Sequence, residues 1–325
     1  MSLSFSAAPG RPRRRSPSCR ARLLGGTLGV TVRPLIKAWT LAPNLPWPYE
    51  LIDHAGRWAR PRRGTTFATR TVAGVRILEV TPAEAADDRR ILYFPGGAFF
   101  VGGWFLHRAL LSHIAHATSS RILAVSYRKM PAHPVSQSVR DCFDVYRAVV
   151  RDGGADDVVL MGDSAGGFLT FATLAAAADA GLPMPAGAVG LSPLCQIQHV
   201  LPRIEYARCA VFTRNAVSAL FRIAAAHERD TTHARPSDLI SRALPPILIQ
   251  AATRESLRPQ IERFADELAE AGADCTLSLW NLDVHVFQAA HWVPETRAAL
   301  REIGLFCADA WRARVTPAVL ESESA

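Results

Sequence analysis

The sequence predicts an α/β fold, with a mostly parallel central sheet and helices on both of its faces. Three observations predict it. From residue 65 onward, short apolar runs alternate with longer helical stretches. Several of those runs stop abruptly at glycine turns. The composition, 49% apolar and 20% charged over 325 residues, supplies enough apolar surface for one sizeable core. A strand that returns parallel to its predecessor needs a crossover, and helices packed on both faces bury such a sheet.

Residues 1–20 are rich in Ser, Pro and Arg and read as a disordered basic tail. Residues 21–64 are mixed in character. They hold an amphipathic stretch from Arg22 to Trp39 and a Pro- and Trp-containing turn from Pro43 to Pro48. Residues 65–325 form the core. Phe67–Val72 and Val75–Val80 alternate apolar with polar residues around Ala73-Gly74, which reads as a hairpin. Strands follow at Ile91–Phe94, Arg121–Tyr127, Val158–Met161, Ala188–Leu191, Pro246–Gln250 and Cys275–Trp280. Helices are expected at His107–Thr118, Val135–Arg151, Ala165–Ala180, Arg258–Ala271 and Pro294–Arg312. At about 196–242 the rhythm breaks into a helical insertion.

The formal net charge is +8. Six arginines, from Arg11 to Arg22, lie in the first 25 residues without an acid, which leaves +2 on the rest. No basic stripe interleaved with aromatics is visible, so a nucleic-acid partner is not expected. Arginines outnumber lysines 35 to 2, which reads as compositional bias. The six cysteines contain no CxxC pair, so neither a zinc site nor a redox motif has support, and a single disulfide stays open. The longest stretch without a charge, Ala180 to Pro202, is interrupted by prolines. Stable membrane insertion is therefore not expected, and a cytoplasmic location is. A homodimer is compatible with the sequence.

The chemistry-bearing motif is Gly162-Asp163-Ser164-Ala165-Gly166-Gly167, between the strand Val158–Met161 and an uncharged helix. In that context G-x-S-x-G lifts a nucleophilic serine onto a sharp turn, where side chains in place of the glycines would collide with neighbouring backbone. The helix N-terminus beneath it favours developing negative charge. Upstream, Pro95-Gly96-Gly97-Ala98 follows the strand Ile91–Phe94. Backbone N–H groups of Gly96, Gly97, Ala98 and Ala165 are candidates for an oxyanion hole. Phe99, Phe100, Trp104 and Asp163 are candidates for the pocket wall. Downstream a carboxylate and then a histidine are required. The acids are Glu255, in the loop after Pro246–Gln250, or Asp283. The bases are His285, after the last strand, or His291. His113 and His116 share a helix face without a third ligand and read as solvated.

Three motifs in order, Pro95-Gly96-Gly97-Ala98, Tyr127-Arg128-Lys129-Met130-Pro131-Ala132-His133-Pro134 and Gly162–Gly167, resemble the hormone-sensitive-lipase-like family of α/β-hydrolases. The likeness is to the bacterial esterase and acetyl-hydrolase branch, over roughly residues 65–312. The resemblance implies an α/β-hydrolase fold, a helical cap over the site formed by residues 21–64 and about 196–242, and a Ser164–Glu255–His285 triad. It implies that the oxyanion donors of the loop are the N–H groups of Gly97 and Ala98, with Gly96 making the turn. It also implies cleavage of carboxylic esters with short, acetyl-type acyl groups through an acyl-enzyme, with no cofactor and no metal. The expected partner is a small-molecule ester or acylated metabolite. Two departures stand out: Pro95 replaces the histidine that anchors the loop in the family, and Ala98 replaces its third glycine. Two alternatives remain, an amide or N-acetyl deacetylase of a secondary metabolite, and a non-catalytic ligand-binding member of the fold.

Overall fold

A computed structural model describes residues 16–322, apart from 44, 46, 102, 198–208, 229–232 and 241, with side chains described as far as residue 313. Eight strands form a single sheet, in the order β1-β2-β4-β3-β5-β6-β7-β8. They are β1 (Thr65–Val72), β2 (Val75–Pro82), β3 (Arg90–Phe94), β4 (Arg121–Val125), β5 (Val158–Asp163), β6 (Gly187–Leu191), β7 (Ile247–Ala252) and β8 (Cys275–Trp280). The expected hairpin is present: β1 and β2 pair antiparallel with Val72 opposite Val75, so Ala73-Gly74 makes the two-residue turn. β2 also runs antiparallel to β4, and every pairing from β4 to β8 is parallel.

Alternation along the strands divides the core into two layers. Leu92, Phe94, Leu160, Ile247 and Ile249 point to one face, where α4 (Val135–Gly153), α5 (Ala165–Asp179) and α7 (Arg258–Glu270) pack. Ile91, Tyr93, Val159, Met161 and Leu248 point to the other, under α3 (Trp104–Thr118) and α8 (Pro294–Ser322). All six residues of β5 are buried, as befits a strand covered on both sides.

Two element boundaries differ from expectation for visible reasons. α3 starts at Trp104 rather than His107, because extended backbone at Gly103 opens the helix one turn earlier. β4 stops at Val125, which frees Tyr127 to turn away from the sheet and donate its hydroxyl to the Pro95 carbonyl at 2.5 Å.

The N-terminal segment is helical. α1 spans Cys19–Leu41 and α2 spans Tyr49–Ala55. Ser18 caps α1 by accepting the Ala21 N–H at 3.2 Å, and its own N–H and hydroxyl donate to Glu295 at 2.7 and 2.9 Å. This is a correction to the expected tail of residues 1–20: residues 1–15 lie outside the described residues, but Cys19 and Arg20 already belong to a capped helix. In the expected insertion at 196–242, the described parts include α6 (Arg214–His227) and a short 3-10 turn, Pro236–Leu239. All six cysteines are free thiols.

Candidate active site

Ser164 sits between β5 and α5 with φ +52° and ψ −118°, a conformation that costs a non-glycine residue on the order of 1–3 kcal/mol. The surrounding backbone holds it there. Its N–H donates to Leu191 O at 2.9 Å, and its carbonyl accepts from the N–H groups of Gly167 at 3.0 Å and Leu194 at 2.9 Å. The flanking glycines are required sterically. A Cβ at Gly162 would overlap the Gly166 carbonyl, and one at Gly166 would overlap the Phe94 carbonyl oxygen.

The loop after β3 carries three consecutive positive φ angles, Gly97 at 121°, Ala98 at 56° and Phe99 at 62°. Among the described residues, the N–H groups of Gly97, Ala98 and Ala165 have no intramolecular acceptor. Gly96 is different: of the four residues expected at the oxyanion hole, it shapes the loop and is not a donor to substrate. Its N–H donates to Asp163 Oδ1 at 2.9 Å, so it anchors the loop and is not free to meet a substrate.

That anchor is a buried polar cluster. Asp163 is 4% exposed and also accepts the Tyr93 hydroxyl at 2.7 Å and faces His107 Nε2 at 3.2 Å. Burial disfavours the carboxylate, but His107, Tyr93 and the Gly96 N–H outweigh it and hold Asp163 below the usual carboxylate range. Burial likewise opposes the imidazolium, yet Asp163 and the Gly103 carbonyl raise His107 above the ordinary histidine value. The expected pocket role of Asp163 therefore gives way to a positioning one. Together, Asp163 on Gly96 and Tyr127 on Pro95 fix the loop without the family's histidine.

On the neighbouring strand ends, Glu255 follows β7 and His285 follows β8. Both are buried, at 0% and 8% exposed, and Glu255 Oε2 lies 3.4 Å from His285 Nδ1. His285 Nε2 is buried with no hydrogen-bond partner among the described residues. The next residue, Val286, adopts φ +52° and donates its N–H to Ser192 Oγ at 3.2 Å, which fixes the loop that carries the histidine. Phe212 meets the imidazole edge-on at 5.1 Å between ring centres.

The rival residues are engaged elsewhere. The Asp283 carboxylate packs against Gly25 of α1. His291 stacks on His113 at 4.3 Å, and burial together with His291 pushes His113 down to about 4. His116, expected to be solvated, lies 3.0 Å from the Thr65 hydroxyl.

The profile of the α/β hydrolase fold matches residues 91–289. The carboxylesterase/phospholipase LipF of Mycobacterium tuberculosis is 33% identical over 310 residues, 90% of this chain and 83% of that protein. An acetyl-hydrolase of Streptomyces hygroscopicus is 32% identical over 234 residues, 70% of this chain and 77% of that protein. This chain belongs to the hormone-sensitive-lipase-like family of α/β-hydrolases. A crystal structure of an esterase from the bacterial hormone-sensitive lipase family superposes with a TM-score of 0.80 at 25% identity, covering 91% of this chain and 100% of that one.

Within this α/β-hydrolase two of the three aromatic pocket candidates are core residues, and the third is half-buried against the core. Phe99 is fully buried and packs edge-on against Phe168 of α5, with ring centres 5.8 Å apart. Phe100 lies beneath Trp39 of α1 and Tyr49 of α2. Trp104 opens α3 and packs, half-buried, against the core layer beneath that helix, with the Arg76 guanidinium over its ring. A cavity of about 310 Å³ opens instead between Phe168, Val135, Cys195, Ile197, Ala224 and Pro236, one helical turn along α5 from Ser164. Sequence reasoning missed His107, Tyr93 and Phe212. Only His107 left a trace, as a histidine on an otherwise apolar helix face.

Proposed function

We propose that this chain is a carboxylic ester hydrolase, with Ser164 as nucleophile, His285 as base and Glu255 as the acid that orients it. The observation that carries this reading is the strained Ser164 turn, tied through Leu191 and Ser192 to the loop that carries a buried histidine, whose Nδ1 faces a fully buried glutamate. With Nδ1–H donated to Glu255, Nε2 keeps a lone pair for the serine proton.

In this mechanism His285 takes the Ser164 proton as Oγ bonds to the acyl carbon, and the carbonyl electrons move onto oxygen. The N–H groups of Gly97, Ala98 and Ala165 stabilise that oxyanion, a contribution of about 3–4 kcal/mol per well-placed donor. The imidazolium then protonates the departing alkoxide. Water, deprotonated by the same histidine, attacks the acyl-serine and releases the acid.

Residues 21–64 and about 196–242 form the cap in this reading. Trp39 and Tyr49 cover Phe100 beside the oxyanion loop, and Phe212 covers His285. Short, acetyl-type acyl groups are the favoured occupants of the pocket in this reading, which the similarity to an acetyl-hydrolase supports. The test is a series of p-nitrophenyl esters from acetyl to long acyl, with wild type and Ser164→Ala. The expected result is fastest turnover of the shortest esters and none by the variant. Turnover retained by Ser164→Ala overturns the nucleophile, and a preference for long acyl chains overturns the pocket assignment.

A further inference from the structure

Among the described residues, eleven large apolar side chains are exposed, and eight of them fall between Leu23 and Trp58. α1 shows why. Of its 23 residues only Ala21 and Gly25 are buried. At about 100° per residue, Ala21, Gly25, Leu28 and Trp39 point toward the protein body, where Leu28 and Trp39 join core clusters. Leu23, Val30 and Leu41 share the opposite direction and are 65%, 75% and 87% exposed. Both faces of α1 are apolar, and the body covers one.

Charge gathers on the same segment. The first 64 residues hold 12 of the chain's 37 basic residues and 2 of its 29 acidic ones, while the rest is near balance at 25 against 27. α1 contains no acid, and exposed Arg22 and Lys37 lie along its uncovered side. Arg57, Arg60, Arg62 and Arg63 follow α2 around Trp58, which is 89% exposed.

An apolar stripe flanked by cations fits two occupants, a second copy of the chain or an anionic lipid surface. Charge decides between them, because two copies joined through this stripe would set cations against cations. A lipid surface supplies both anionic headgroups and apolar depth. Among the described residues no helix is long and apolar enough to cross a membrane, so the segment would lie on the bilayer rather than span it. We propose that α1 and the arginine cluster after α2 form a docking surface for anionic phospholipid bilayers. α1 and α2 meet over Phe100, beside the oxyanion loop, so docking would bring the site to esters held in that surface. This consequence rests on the ester-hydrolase reading; the docking itself does not.

The test is flotation of the full-length protein with vesicles of phosphatidylcholine, with and without about 30 mol% phosphatidylglycerol. Co-flotation is expected with the anionic vesicles alone, and about 0.5 M salt should weaken it. The triple variant Leu23→Ser, Val30→Ser, Leu41→Ser should lose at least about tenfold in partitioning. Arg22→Gln with Lys37→Gln should lose about fivefold per cation. Circular dichroism verifies that both variants are folded, and Ser164→Ala should float like wild type, which separates docking from catalysis. Failure to bind anionic vesicles overturns the proposal, as does binding that both variants retain. If light scattering shows a dimer that the serine variant dissociates, without vesicle binding, the stripe is a self-association surface and the proposal also falls.

Discussion

Asp163→Asn is the sharpest probe of how this molecule holds its oxyanion loop. Asparagine has nearly the same shape, and its carbonyl oxygen can still accept from Tyr93 and Gly96. What is lost is charge. Two hydrogen bonds, now 2.7 and 2.9 Å to a carboxylate, become neutral ones, each weaker by about 1 kcal/mol. His107 loses its ion partner at 3.2 Å and has to stay neutral, for about 1 kcal/mol more. The expected destabilisation is about 3 kcal/mol, a fall in Tm of roughly 6–10 °C. A loop displaced by a fraction of an ångström misplaces Gly97 and Ala98, so kcat should fall by up to about 100-fold with little change in KM.

The pH dependence separates this role from general packing. His107 is raised in the fold, so its stabilisation is fully present below about 6.5 and is lost as pH rises through its folded value. Asp163 is depressed, so its share is present above about 3.9 and is lost as pH falls through its folded value. The stability gap between wild type and Asp163→Asn should therefore be widest between those limits and should shrink at higher pH. Thermal melts across that range, with His107→Gln to close a double-mutant cycle, measure it. An unchanged Tm and kcat, or a gap independent of pH, would refute the reasoning.

Two further outcomes are expected. Glu255→Gln should lower kcat by about 10³–10⁴-fold, because an amide can hold the imidazole in the wrong tautomer, and steady-state kinetics on a soluble ester will show it. Gly166→Ala places a methyl group on the Phe94 carbonyl oxygen, so the elbow or β3 has to move. The cost is about 3 kcal/mol, read as a fall in Tm of roughly 6 °C.

The β-strands were legible because their apolar runs were short and dense, and at β3 and β5 closed by glycine or proline, and each central strand was found within a residue or two of its expected place. Ser164 was legible for the same reason: its motif is local, and strand, turn and helix are contiguous in the chain. From the residues alone the Gly96 N–H looks like its neighbours' N–H groups; what it binds is decided by Asp163, far along the chain. The aromatic residues after the loop were equally ambiguous, since periodicity does not distinguish a pocket wall from a core contact. Phe99, Phe100 and Trp104 differ only in what folds over them.

The net charge shows the same limit. In the linear chain the basic residues at the start looked like a tail of no consequence. The capped helix begun at Ser18 places part of that charge beside an uncovered apolar stripe. Local steric demands, apolar period and charge are carried in the chain, and they set the strands, the nucleophile turn and the basic start. The burial of Glu255 against His285, the anchoring of the loop by Asp163 and His107, and the uncovered face of α1 arise only when distant segments meet. Pairing, burial and desolvation are properties of neighbours in space, and the sheet decides who those neighbours are.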